Sequence, residues 1–301
     1  MSSLLSPKQV ATAIGASESS LKRWCDQGLL ATVKTAGGHR RISIQEALRF
    51  VREQNHTVVE PELLSLTSTN DRKSRRIEEC ADRLTESLLS GCEAASRAIV
   101  LDLFVAGHPV SQIFDEVVAP AFRVIGERWE CHSAEVYQER EACQISVRIL
   151  DDLRSKQVPT NSGRLAIGAT MEGDQYLLPT TMAEIVLRSV GWDARLLGLS
   201  IPLGSMEAAV KAMKPGLLWL SVSHISDEGE FIAGFNRLFA VSAKSKVAVV
   251  VGGRALTTEI RTQLRYSAFC DTMGHLEAFA RTVLPQTVPA PAKTRKPSKK
   301  V

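Results

Sequence analysis

Apolar positions along this chain keep one period over its middle and another over its last third. Between Arg72 and Lys156 they recur three and four residues apart, as in Leu84, Leu88 and Leu89, or Ile113, Val117 and Val118. Breaks near Gly91, Gly107-His108-Pro109 and Cys131-His132 divide that stretch into about four helices, which predicts an antiparallel four-helix bundle over 72–156. After the polar linker QVPTNSG the pattern changes. Apolar runs at Leu165–Ala169, Ala194–Leu199, Leu217–Val222 and Val247–Val251 alternate with amphipathic stretches, and a weaker fifth unit spans Ala268–Val283. Short buried strands separated by helices predict βαβ units. The expected result is a flavodoxin-like (Rossmann-type) five-stranded parallel α/β domain over 163–285. Residues 57–71 show little apolar periodicity and read as a linker, and the Pro/Lys-rich residues 286–301 as a disordered tail.

The first 56 residues carry a separate pattern. Ser6-Pro7 opens one short helix, Ala13-Ile14-Gly15-Ala16 turns, and Ser17 caps a second helix over Glu18–Gln27. Helix, glycine turn and helix predict a helix-turn-helix, whose second helix can enter a major groove. Trp24 on that helix reads as a core residue. The run Thr35-Ala36-Gly37-Gly38-His39-Arg40-Arg41-Ile42 follows. Two glycines permit a hairpin and three donors sit beside it, so a winged helix-turn-helix over 1–56 is expected. The candidate DNA contacts are Ser17, Ser20, Lys22 and Arg23 on the helix, with Lys34, Thr35, His39, Arg40 and Arg41 in the wing.

Composition adds to this picture at three points. A hydrophobic content of 44% with 23% charged residues is that of a globular, multidomain chain of α and α/β units. The net charge of +4 is unevenly spread. Residues 1–56 hold eight basic against four acidic side chains, residues 57–285 hold 24 against 29, and the tail holds five basic and no acidic ones. Basic ends around an acidic middle predict a polyanion partner held by the ends. The six cysteines include no CxxC pair, which predicts reduced thiols and no metal site. No apolar run is long enough for a membrane span and MSSLLSPKQV lacks the form of a secretion signal, so a cytoplasmic location is expected.

Helix-turn-helix followed by TAGGHRRI resembles the winged-helix domain of MerR-type transcription regulators, over roughly residues 3–56. Joined to a helical bundle and a parallel α/β domain, it is similar to the CarH/CarA/LitR group of photoreceptor regulators, which bind adenosylcobalamin. That group carries a Trp and, after nine intervening residues, Glu-His in the bundle; this chain has Trp129 and Glu139, then Arg140. The group's Asp-x-His-x-x-Gly loop reads Asp174-Gln175-Tyr176-Leu177-Leu178-Pro179 here, and its Ser-x-Leu and Gly-Gly read Ser221-Val222-Ser223 and Gly252-Gly253. The resemblance therefore implies a cobalamin fold without either cobalt-ligating histidine. Imidazole is a good nitrogen donor to a transition metal; a phenol is a poor one and a guanidinium none.

The reading is a degenerate pocket at Trp129, Glu139, Arg140, Asp174, Tyr176, Ser221, Ser223, Gly252 and Gly253. It expects no cofactor and no metal, with adenosylcobalamin the alternative. The function expected is a DNA-binding transcription regulator, a repressor, independent of cobalamin and of light. Its expected partners are double-stranded operator DNA, a second copy or more of itself (dimer or tetramer) and a regulatory protein, with no membrane. The alternatives are a light-responsive cobalamin-dependent repressor with another ligation mode, or an adaptor or antirepressor acting through protein partners. No catalytic triad or P-loop is present, and an enzyme is not expected.

Overall fold

The computed structural model describes residues 4–35, 37–54, 56–64, 66, 77–131, 134–157 and 163–283. The basic tail, His132 and residues 65 and 67–71 of the expected linker lie outside them. In the N-terminal unit, Ser6 and Gln9 form a reciprocal cap on α1 (Pro7–Ala13), and the Ser17 hydroxyl accepts from Ser20 N to start α2 (Glu18–Asp26). Gly15, at φ +65°, makes the turn between them. Strands β2 (Val33–Lys34) and β3 (Arg40–Ser43) pair antiparallel with Lys34 opposite Arg40, and β1 (Leu4–Leu5) joins the other side of β3. Ser43 then caps α3 (Ile44–Glu53). Leu21, Leu30, Ile42, Leu48 and Phe50 are buried here together with Leu64, from the stretch that polarity marks as linker. Trp24 packs partly buried against this core, its ring tilted against those of Phe50 and His56.

The next layer is helical: α4 (Cys80–Leu89), α5 (Glu93–Val105), α6 (Val110–Ile113), a π-helical turn over Phe114–Val118, α7 (Ala119–Glu130) and α8 (Val136–Lys156). Then come β4 (Leu165–Met171), α9 (Leu177–Ser189), β5 (Asp193–Ile201), α10 (Leu203–Met213), β6 (Leu217–Ser221), α11 (Glu228–Lys244), β7 (Ala248–Gly252), α12 (Thr258–Gln263), β8 (Ala268–Phe269) and α13 (Met273–Val283). The sheet is parallel throughout, in the order β5-β4-β6-β7-β8. The apolar runs read as strands are the strands, and the weak fifth unit is a two-residue strand followed by a helix.

The helical layer and one sheet face share a single core, which joins Leu103, Phe114 and Ile149 to Met182, Trp219 and Val250. Helices α10, α11 and α12 cover the other face. Polar contacts across this interface add to the shared core. Asp115, in the π-helical turn, accepts from Met273 N and Gly274 N at 2.8 Å each and so caps α13 from 158 residues away. Glu184 of α9 pairs with Arg154 of α8 at 3.4 Å. The N-terminal unit docks through α3: Arg52 lies over the Phe104 ring, donates to His108 O, and its pKa is lowered by burial to about 10.

Candidate functional site

In a parallel sheet of this order, neighbouring connections leave in opposite directions at the β4–β6 junction and open a crevice at the strands' carboxyl ends. A cavity of about 640 Å³ lies there, between the strand ends and α7–α8 of the helical layer. That volume falls within the roughly 300–1,000 Å³ of small-molecule sites. The cavity gathers Trp129, Glu139, Arg140, Tyr176, Ser221, Ser223, Gly252 and Gly253, eight residues that sequence reasoning distributed over four separate segments.

The upper wall is α7. Trp129 stays 46% exposed on it and lines the cavity. On the floor the glycines serve close backbone approach: a Cβ on Gly252 would lie 2.4 Å from the Cys270 carbonyl oxygen, and one on Gly253 2.1 Å from that of Val222. Asp174 is placed differently from its fellow candidates. It is fully buried beneath the cavity, where its carboxylate accepts from Tyr176 N at 2.9 Å and Ser223 N at 2.5 Å, tying two floor loops together.

The rim is rich in guanidinium groups. Arg140 is exposed and sits 3.3 Å from Glu139, and Arg254 lies over the Tyr176 ring at 4.7 Å. Arg123, Arg254, Asp115 and the inner-wall indole of Trp219 are site residues that sequence reasoning missed. Arg254 had one available signal, its place directly after the glycine pair; Asp115 and Trp219 had none. Two cysteines also line the cavity, and burial drives both thiols up, Cys143 to about 12 and Cys270 to about 11. Burial thus disfavours the thiolate form of both. Among the described residues no imidazole lines the cavity, and no cluster of three or more His, Cys, Asp or Glu side chains could hold a metal ion. The lining offers a flat aromatic face on one side, a glycine floor on the other and guanidinium donors at the rim.

Residues 80–153 match the B12 binding domain family. The match covers α4 through α8, the helical layer that roofs the cavity. Over 179 residues the chain is 29% identical to the HTH-type transcriptional repressor CarH of Myxococcus xanthus, across 58% of this chain and 59% of that protein. Over 252 residues it is 24% identical to the HTH-type transcriptional repressor CarA of the same organism, across 82% of this chain and 85% of that protein. The chain thus spans under two thirds of CarH and most of CarA. The monomethylamine corrinoid protein of Methanosarcina barkeri superposes with a TM-score of 0.57 at 16% identity, over 69% of this chain and all of that one, which shows a shared fold. The chain carries a B12-binding module like that of CarH and CarA.

These matches overturn the expectation that the site holds no cofactor. The physical error was to equate loss of the ligating imidazoles with loss of the site. A corrinoid brings its own ring nitrogens to the metal, and the crevice that would enclose the ring is intact.

At the N-terminal unit, Ser17 and Ser20 are hydrogen-bonded to each other at the start of α2, and Thr35 N donates to His39 O across the hairpin. Lys22 pairs with Glu18, Arg40 with Asp26 at 2.6 Å and with the Lys22 carbonyl, and Arg41 with the Arg40 carbonyl. Arg23, Lys34 and His39 are exposed. The structure therefore gathers the nine candidates on α2 and the adjoining hairpin, with Arg40 fastening one to the other. No described helix is long and apolar enough to cross a membrane.

Proposed function

We propose that this protein is a cytoplasmic, non-enzymatic transcriptional repressor in which a cobalamin-type corrinoid, bound between the helical layer and the parallel sheet, governs how copies of the chain assemble on DNA. The observation that carries the reading is a coincidence of place: the segment matching the B12 binding domain roofs the crevice at the sheet's carboxyl edge. In this reading the N-terminal unit is a winged helix-turn-helix and α4–α8 a four-helix bundle. Exposed Arg23 and Lys34, with His39 and Arg41, meet phosphates and base edges, while Ser17, Ser20 and Thr35 lie at the ends of α2 and the hairpin where a backbone approaches.

One such reader offers little surface, so two or more must act together, on half-sites spaced by the assembly's symmetry. A corrinoid, when bound, would supply a metal centre whose chemical state assembly can follow. Trp129 and Phe122 would lie against its ring, Arg123, Arg140 and Arg254 would donate to polar groups at its edge, and Asp115 holds α13 against the roof.

The test incubates the full chain with adenosylcobalamin, desalts it, and measures bound cobalt alongside a gel shift on DNA from upstream of its own coding sequence. Retained cobalt near one per chain and a shift whose midpoint differs between loaded and unloaded protein are expected. Failure of any upstream fragment to shift overturns the repressor reading; failure to retain cobalt overturns the corrinoid reading.

A further inference from the structure

We infer that α3 is the beam that fixes the direction of the DNA reader relative to the helical layer, so that Gln45, Arg52 and Val105 set which spacing of half-sites an assembly of this chain accepts. The inference rests on the repressor reading above and names positioning residues for it.

Two side chains of α3 hold the reader. Glu46 is 7% exposed, and its carboxylate accepts from Ala31 N at 2.7 Å. Arg49 donates to the Leu29 carbonyl at 2.9 Å and to that same carboxylate. Leu29 and Ala31 lie in the connector between α2 and the hairpin, so both reading elements are held by the segment that joins them. The clamp is stiff, because removing either partner would leave a desolvated charge. The candidate contacts stay outside it: Ser17, Lys22, Arg23, Lys34, Thr35 and His39 are all exposed.

Two further side chains of α3 hold the helical layer. Gln45 Nε2 donates at 2.8 Å to the carbonyl of Ser155, in the last turn of α8, where carbonyls have no partner within the helix. Arg52 donates at 3.2 Å to the His108 carbonyl, in the turn after α5, and its guanidinium lies 3.9 Å from the centre of the Phe104 ring. Burial lowers its pKa to about 10, the mark of a guanidinium withdrawn from water. Val105 of α5 packs against the N-terminal core and against the core of the helical layer, so apolar contact crosses the junction as well. Gln45 and Arg52 are seven residues apart and therefore share a face of α3, about 10 Å from each other. Two anchors at that separation fix the direction of a rod, which one anchor cannot do. Helix α8 also lines the crevice, through Val136, Glu139, Arg140 and Cys143, so the layer that carries the reader is the layer that roofs the crevice.

Readers tied to their assembly by the chain alone would be free to turn and would engage half-sites at many spacings. Readers fixed by α3 engage only those that the symmetry of the assembly presents. The experiment takes the upstream fragment that the full chain shifts, locates its protected halves by footprinting, and inserts a half or a whole helical turn of DNA between them. The wild type is expected to lose about tenfold or more in affinity on the half-turn insertion. Gln45→Ala and Arg52→Ala should each blunt that loss, and the double variant should reduce it to about threefold or less. All three should bind a single half-site as the wild type does, a readout that separates lost direction from a misfolded reader. The inference is overturned by a double variant that discriminates spacings as sharply as the wild type. Should the double variant fail on a single half-site, Gln45→Ala, whose hydrogen bond lies at the surface, decides in the same way. A wild type indifferent to insertion, or a footprint of one undivided segment, also overturns it while leaving the repressor reading intact. If no upstream fragment shifts, that reading fails and this inference with it.

Discussion

Arg40 lies in a hairpin of basic donors, yet its guanidinium is held by Asp26 and the Lys22 carbonyl. Its chemistry was legible in the sequence; its engagement was not, because the partner sits fourteen residues earlier on another element. Arg40→Ala is expected to loosen the hairpin from α2 at a cost of no more than about 1 kcal/mol, since the pair is largely exposed. Arg23→Ala or Lys34→Ala should leave thermal stability unchanged and flatten the dependence of log affinity on log salt by about one. Titrating a gel shift at several salt concentrations checks both variants, and unchanged slopes remove those cations from the interface. The thiols give a second prediction at this scale. Exposed Cys92 and Cys131 should be alkylated by iodoacetamide at neutral pH well before Cys143 and Cys270, whose thiols burial holds up near 12 and 11. Peptide mass mapping reads the order; early labelling of Cys143 would contradict the account of the crevice wall.

At the scale of elements, the change of period after residue 157 placed every strand of the parallel sheet to within a few positions, because a buried strand declares itself by a short apolar run. What the pattern could not show is that α13 receives its cap from Asp115. Helix capping is read from the residues just ahead of a helix, and this acceptor arrives from the other layer. Asp115→Ala should lower stability by about 1–2 kcal/mol. It should also weaken corrinoid retention, because it frees the helix that flanks the crevice; denaturant midpoints and retained cobalt measure the two effects. Glu184, nearly buried between Arg154 and Arg188, gives a pH signature. Burial raises its pKa more than the two arginines lower it, so folding takes up a proton in the acidic range above the ordinary carboxylate value. The wild type should therefore gain stability relative to Glu184→Gln as pH falls through the folded pKa. A difference that shrinks on acidification would contradict this.

Across the whole molecule, the N-terminal unit docks through Arg52 on Phe104 and His108, while the helical layer and the sheet share one core that Asp115 and Glu184 pin at its edges. Eight of the nine candidate site residues converge on one crevice because the parallel topology brings the carboxyl ends of β4, β6 and β7 together under α7 and α8. The sequence made that convergence legible through loop positions alone. It misled on occupancy, because the residues that matter for shape, Trp219 against Gly168 and the glycine floor, leave no motif when read one at a time. On the proposed reading this crevice holds a corrinoid, and the most direct measurement is anomalous diffraction at the cobalt absorption edge from crystals of the full chain grown with cobalamin. A single cobalt peak between Trp129 and the Gly252–Gly253 floor is the expected result. A peak elsewhere, or no peak, would contradict it.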